Sequence, residues 1–274
     1  MNTQNIKQNI KETYGNIAKS GSSCGCGTNA VDADSFAKSL GYTHEELLSI
    51  PDGANMALSC GNPTAIANLN VGETVLDLGS GGGFDCFIAA KKVGETGYVI
   101  GVDMTPEMIA KATENAKSNG IENVEFRLGD IEHMPVDDSK VDVIISNCVI
   151  NLASDKRKVF SEALRVLRPG GRISIADIVV IKELPEKVKQ SIAAYTGCVA
   201  GALPIDEYTQ ILKDAGFSDV NINIIEQAGS TDSGSCDCGS TDSADPMAKS
   251  IDSTMEDGDS IWNYVASVYV EAVK

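Results

Sequence analysis

Short apolar runs alternate through the middle of the chain with stretches whose apolar residues recur at helical spacing. Val75, Leu76 and Leu78 make the first run, broken by Asp77, and a glycine cluster at Gly79, Gly81, Gly82 and Gly83 follows. Residues 84–92 then read as a helix. Further strands are predicted over 98–102, 124–128, 141–146 and 172–180, and the run at 141–146 is apolar enough for a strand buried on both faces. Between them, 106–119 presents Met108, Ala112 and Ala116 on one face, and 155–167 presents Phe160, Ala163, Leu164 and Leu167. This alternation predicts an α/β fold built on a doubly wound, mostly parallel sheet.

The flanks read differently. Residues 3–19 carry Ile6, Ile10, Tyr14 and Ile17 at helical spacing, and short helices are expected at 36–40 and 45–50. After the sheet, 184–202 reads as helical and contains Gly197-Cys198; Tyr208, Ile211, Leu212 and Ala215 make another amphipathic helix closed by Gly216. Residues 220–225 and 261–273 read as two final strands, separated by a Gly-, Ser- and Asp-rich stretch over 228–260 expected to be a mobile loop. The expected organisation is a cover over residues 1–70, a core over 71–182 and a second cover over 183–274.

The glycine turn narrows the ligand. A dinucleotide fingerprint needs a third glycine where Phe84 stands. The turn is instead G-x-G-x-G with Asp77 two residues ahead, and an acid there suits a cationic ligand better than a pyrophosphate. The second strand ends at Asp103, placed to accept both hydroxyls of a ribose. A helix cap is the bland role for Asp103, but Thr105-Pro106 already supply a cap and first turn, which leaves the acid partly spare. The third strand ends in Gly129-Asp130, where Asp130 is placed to accept an adenine amino group. Three acids at three successive strand ends describe a nucleoside site.

With 274 residues and a formal charge of −17, the surface repels nucleic acid and anionic membrane, and a neutral, cationic or thiophilic substrate is favoured over a polyanion. The polar first twenty residues predict no signal peptide, and no apolar run approaches the ~20 residues of a membrane span. A soluble, cytoplasmic monomer is expected, with neither nucleic acid nor membrane as partner. Eight cysteines in a reducing compartment point to metal binding or redox chemistry rather than structural bridges.

Cys148 falls just past the fourth strand, at the edge where doubly wound sheets bind ligands. Cys198 lies in the expected helical cover and Cys60 in the N-terminal cover, so three thiols on three segments are placed to converge. Cys86 reads as a small buried hydrophobe. Cys24/Cys26 and Cys236/Cys238 form Cys-x-Cys pairs in Ser/Gly loops, suited to a thiol relay, a metalloid-capture arm or, least of all at that spacing, zinc.

Asp77-Leu-Gly-Ser-Gly81, Asp85-Cys86, Gly101-Val-Asp-Met-Thr105, Ser146-Asn-Cys-Val-Ile-Asn-Leu152 and Gly197-Cys198 together resemble the arsenite methyltransferases, over nearly the whole chain. The resemblance implies a Rossmann-like methyltransferase sheet ending in an antiparallel hairpin. It implies S-adenosylmethionine held by Asp77, Gly79, Gly81, Asp103, Met104, Asp130 and Asn147. It implies trivalent arsenic, as arsenite or methylarsenite, held by Cys148 and Cys198, with Cys60 completing a three-thiolate site or exchanging disulfides. An N-terminal cysteine, Cys24 or Cys26, takes the redox role, and a disulfide of Cys60 with one of them is expected after each turnover, reduced by thioredoxin or glutathione. The chain departs from the family in having two N-terminal cysteines and the Cys236-Asp-Cys238 segment.

This chemistry suits the residues present. Arsenic is soft and takes thiolates. Its lone pair carries no proton, so methyl transfer requires no general base, and His44 and His133 sit in no catalytic motif. Positioning then does most of the catalysis, a device able to recover ~7–11 kcal/mol of a barrier. Two other readings compete: a carbon methyltransferase acting on a sterol- or quinone-like acceptor, and a non-catalytic thiol protein that sequesters metalloid.

Overall fold

The computed structural model describes residues 3–20, 33–189, 194, 198–225, 255 and 259–274. Cys24, Cys26, Cys236, Cys238 and nearly all of the expected 228–260 loop lie outside them.

Strands β1 (Thr74–Leu78), β2 (Tyr98–Asp103), β3 (Val124–Leu128), β4 (Val141–Asn147) and β5 (Leu167–Val180) alternate with α5 (Phe84–Val93), α6 (Pro106–Ser118) and α7 (Lys156–Val166). The N-terminal elements are α1 (Thr3–Ser20), α2 (Ala33–Ser39), α3 (His44–Leu47) and α4 (Pro63–Ile66). After β5 come α8 (Glu186–Lys189), the two-residue β6 (Leu203–Pro204), α9 (Ile205–Ala215), β7 (Ser218–Ile224) and β8 (Val265–Val273). The sheet order is β3-β2-β1-β4-β5-β8-β7, with β6 beside β5. β1 to β5 are parallel, and β8 runs antiparallel to both β5 and β7. β1 therefore sits at the switch point, with β2 on one side and β4 on the other, where an open α/β sheet leaves a crevice beyond its strand ends.

Burial explains the layers. Val75 to Leu78 are all buried, as expected of a central parallel strand. α5 is buried almost all round, because the sheet covers one side and Tyr42 and Leu47 of the N-terminal cover pack on Phe84 and Ile88 at the other. On the opposite face of the sheet, Phe160 of α7 meets Tyr208 of α9 edge-on at 5.6 Å. α1 packs along α6, with Ile17 against Met56 and Met108.

The structure departs from the sequence expectation in several places: Ile261–Asn263 forms a 3-10 turn, so the last strand begins at Val265 rather than 261. β5 begins at Leu167 rather than 172, because Val141 pairs with Leu167 across a register shift before Val143 meets Arg172. The helix expected over 184–202 stops short: Cys198 has φ +61°, a left-handed conformation that no helix interior tolerates, and it stands in a turn.

Candidate active site

A cleft open to solvent lies beyond the C-terminal ends of β1 to β4. Asp77, Gly79, Gly81, Asp103, Met104, Asp130 and Asn147 all line it, together with Cys148. The glycine turn is tied down by Gly79 and Ser80, whose N–H groups donate to the Val102 carbonyl at 2.8 and 3.1 Å. Gly79 (φ +73°) has no room for a side chain, since a Cβ there would come within 2.5 Å of Val149. Gly81 (φ +50°) is the reverse: the nearest atom to a Cβ would be Met56 Cε at 3.9 Å, so its bare backbone leaves cleft space for a ligand.

Asp103 is not spare. Thr105 makes no side-chain cap; instead Asp103 Oδ1 accepts the Thr105 N–H at 2.8 Å and Oδ2 accepts the Gly81 N–H at 3.0 Å. The carboxylate thus pins the glycine turn to the end of β2 while it lines the cleft. Asp77 is buried beneath the turn, and Cys86 is more than a small hydrophobe, for its thiol donates to Asp77 Oδ2 at 3.1 Å. Asp85, in the first turn of α5, accepts the Tyr42 hydroxyl at 2.7 Å and Asn147 Nδ2 at 3.0 Å. Burial, and for Asp77 next the neighbouring Asp85, raises the proton affinity of these acids: Asp77 well above the usual carboxylate range, Asp85 to about 6, Asp103 more modestly.

Asp130 is engaged from an unexpected direction. Its Oδ2 takes Lys7 Nζ of α1 at 2.8 Å, and Oδ1 takes the Glu132 N–H at 2.9 Å. Lys7 also reaches Glu132 at 3.0 Å. Burial opposes ionisation of Glu132, but hydrogen bonds from Ser154 and Lys7 outweigh it and hold its carboxyl at about 2. α1 therefore roofs the end of the cleft, where Ile10 and Tyr14 join the wall. Asn147 is likewise more a brace than a free ligand group, since its Oδ1 accepts the Cys60 N–H at 2.9 Å and its Nδ2 also reaches the Gly61 carbonyl at 2.9 Å.

The three cysteines lie close together. Cys60 and Cys148 are joined in a disulfide, with Cα atoms 6.0 Å apart, and the buried Cys198 thiol donates to the Cys148 carbonyl oxygen. Cys60 is thus paired with Cys148, not with Cys24 or Cys26. Cys148 (φ +57°) and Cys198 (φ +61°) both hold left-handed backbone, which costs a non-glycine residue roughly 1–2 kcal/mol and gathers at functional sites.

Beside Cys198 lies a cluster that sequence reasoning does not find. Asp177 of β5 is fully buried and accepts Asn151 Nδ2 at 2.9 Å and the Tyr208 hydroxyl at 3.3 Å. Burial pushes its carboxyl up to about 7, against the opposing pull of the Ile178 N–H and Lys156. Burial also raises the Cys198 thiol well above its ordinary range, with Asp177 adding to the effect and Lys156 opposing it.

The sheet order and the glycine-turn cleft define a methyltransferase-type fold, and a family model described as a methyltransferase domain matches residues 69–216. An arsenite methyltransferase of Halobacterium salinarum is 49% identical over 231 residues, covering 80% of this chain and 59% of that protein. The human arsenite methyltransferase is 32% identical over 225 residues, covering 77% of this chain and 58% of that one. The crystal structure of an arsenic(III) S-adenosylmethionine methyltransferase from Chlamydomonas reinhardtii superposes with a TM-score of 0.60 at 31% identity, covering 87% of this chain and 73% of that one. The chain belongs to the arsenite methyltransferase family. It spans somewhat under 60% of the length of these curated relatives, at 59% and 58%.

The residues fit the family's cofactor. Gly81 leaves open space beside its backbone, and Asp103 places a carboxylate on the cleft wall, the group that would meet ribose hydroxyls. The buried Ser80 hydroxyl has no hydrogen-bond partner among the described residues. Asp77, Asp85 and Asp103 form no ion pair with Lys or Arg among the described residues, so a cationic ligand matches the charge this wall lacks.

Proposed function

We propose that this protein transfers methyl groups from S-adenosylmethionine to trivalent arsenic bound by its cysteines. The observation that carries the reading is the packing of Cys60, Cys148 and Cys198 against one another, with Cys148 on the cleft wall beside the glycine turn. The cofactor, when bound, supplies an electrophilic methyl on a sulfonium. The chain supplies position. Asp103 and the glycine turn fix the adenosyl end, and the thiolates displace oxygen ligands from arsenite and hold arsenic with its lone pair toward the cleft. No side chain is required to move a proton at the transfer step.

The disulfide bears on turnover. Cys60 and Cys148 bind arsenic only as thiols, so the bridge takes up two electrons and two protons before capture. An external thiol reductant, thioredoxin or glutathione, is the source. Methylation raises arsenic formally to the pentavalent state, and two electrons from a cysteine pair return it to the trivalent state. The Cys60–Cys148 bridge supports such a role for Cys60, and Cys24 or Cys26 would relay it to the reductant. A cytoplasmic location suits this dependence on thiols; no helix among the described residues is long and apolar enough to cross a membrane.

Mass spectrometry of products from purified protein, arsenite, S-adenosylmethionine and a dithiol tests the reading. Cys148→Ser and Cys198→Ser should each abolish methylarsenical formation while cofactor binding survives. Full methylation by either variant would sink it.

A further inference from the structure

Asp85 opens α5 directly after the glycine turn and lines the cleft at 5% exposure. Asp77 is 3% exposed on the other side of the turn. Neither is ion-paired among the described residues, and Lys92, which attracts Asp85 at longer range, is itself paired with Glu46 at 2.9 Å. Two neighbouring carboxylates in a dry wall repel each other and are costly to ionise. The Ser80 hydroxyl, 6% exposed and without a hydrogen-bond partner among the described residues, belongs to the same wall. Two buried acids and an orphan hydroxyl match a ligand group that carries positive charge and N–H donors.

The sheet order says which group that is. Along β3-β2-β1-β4 the cleft presents Asp130, then Asp103, then Asp77 with Asp85, then Asn147 and Cys148. A nucleoside whose base lies toward β3 and whose ribose meets Asp103 must carry its amino-acid end over β1 and β4.

We propose that Asp85, held in register by the Tyr42 hydroxyl and the Asn147 amide, receives the α-ammonium of the cofactor's methionyl chain. The inference rests on the S-adenosylmethionine reading above and deepens it. Tyr42 comes from the N-terminal cover, and Asn147 also holds the Cys60 N–H at 2.9 Å, so the ammonium receptor is braced by the segment that carries a substrate thiol.

Titration calorimetry on the full chain with three ligands tests this. S-adenosylmethionine and S-adenosylhomocysteine both carry the ammonium, whereas 5′-methylthioadenosine keeps the nucleoside thioether without it. Asp85→Asn should weaken the first two roughly 10- to 100-fold, the range of one charge-assisted hydrogen bond, and change the third by less than about twofold. Tyr42→Phe should produce a smaller loss with the same pattern. Equal weakening of all three ligands, or of none, overturns the inference. Failure of the unaltered chain to bind either ammonium ligand overturns the methyltransferase reading with it, while tight binding indifferent to Asp85→Asn removes this inference alone.

Discussion

Asp177 shows how one side chain couples burial to acidity. It sits at 0% exposure in the middle of β5, with Asn151, Tyr208 and Lys156 around it. Its carboxyl moves from 3.8 to about 7 on folding, so the folded chain holds a proton that the unfolded chain releases. Stability from this group is therefore present below about pH 4 and lost as pH rises to about 7. Urea unfolding at pH 5 and pH 8 should show this loss, and Asp177→Asn should shrink it by roughly 2–3 kcal/mol. An unchanged pH dependence in that variant would mean that Asp177 stays ionised. Asp77, Asp103 and Asp130 are legible in the sequence because a strand's end is a local property. Asp177 is not, because it stands inside the apolar run of β5 and takes its partners from positions 151, 156 and 208. Asp85 is visible as a letter beside Cys86, but its task depends on Tyr42, which only the folded N-terminal cover brings to it.

At the level of elements, α1 is the piece whose placement most changes the site. Its amphipathic pattern predicts a helix but gives no address. The address comes from Ile10, which packs with Cys148, Leu152 and Cys198, and from the ion pairs of Lys7 with Asp130 and Glu132. Such pairs, a quarter to a third exposed on the Lys7 and Asp130 side, contribute at most about 1 kcal/mol. Lys7→Met should therefore speed amide exchange within α1 while leaving β1 and β4 as protected as before. Uniform protection of α1 in that variant would show that apolar packing alone holds the roof. The opposite error occurs at 184–202, where helical spacing continues past the helix. The turn at Cys198 and the close approach of Gly201 to the Asn151 carbonyl, where a Cβ would lie 2.0 Å from the oxygen, are tertiary demands that periodicity does not carry.

For the whole molecule, the Cys60–Cys148 bridge joins the N-terminal cover to the sheet across 88 residues. Closing a loop of that length restricts the unfolded chain by about 4–5 kcal/mol in the chain-entropy account. Reduction should therefore lower the melting temperature, and the same reduction frees the thiols proposed above to capture arsenic. Arsenite added to the reduced chain should then restore stability by mass action, since binding to the folded state alone adds RT ln(1 + [L]/Kd). The recovery should vanish in Cys198→Ser and should be absent from the oxidised chain, where Cys60 and Cys148 have no thiolate to offer. Thermal unfolding with and without dithiol, each with and without arsenite, reads all four states. Equal stabilisation of the oxidised and reduced chains would place arsenic somewhere other than these sulfurs, and would separate the methyltransferase fold from the thiol chemistry proposed for it.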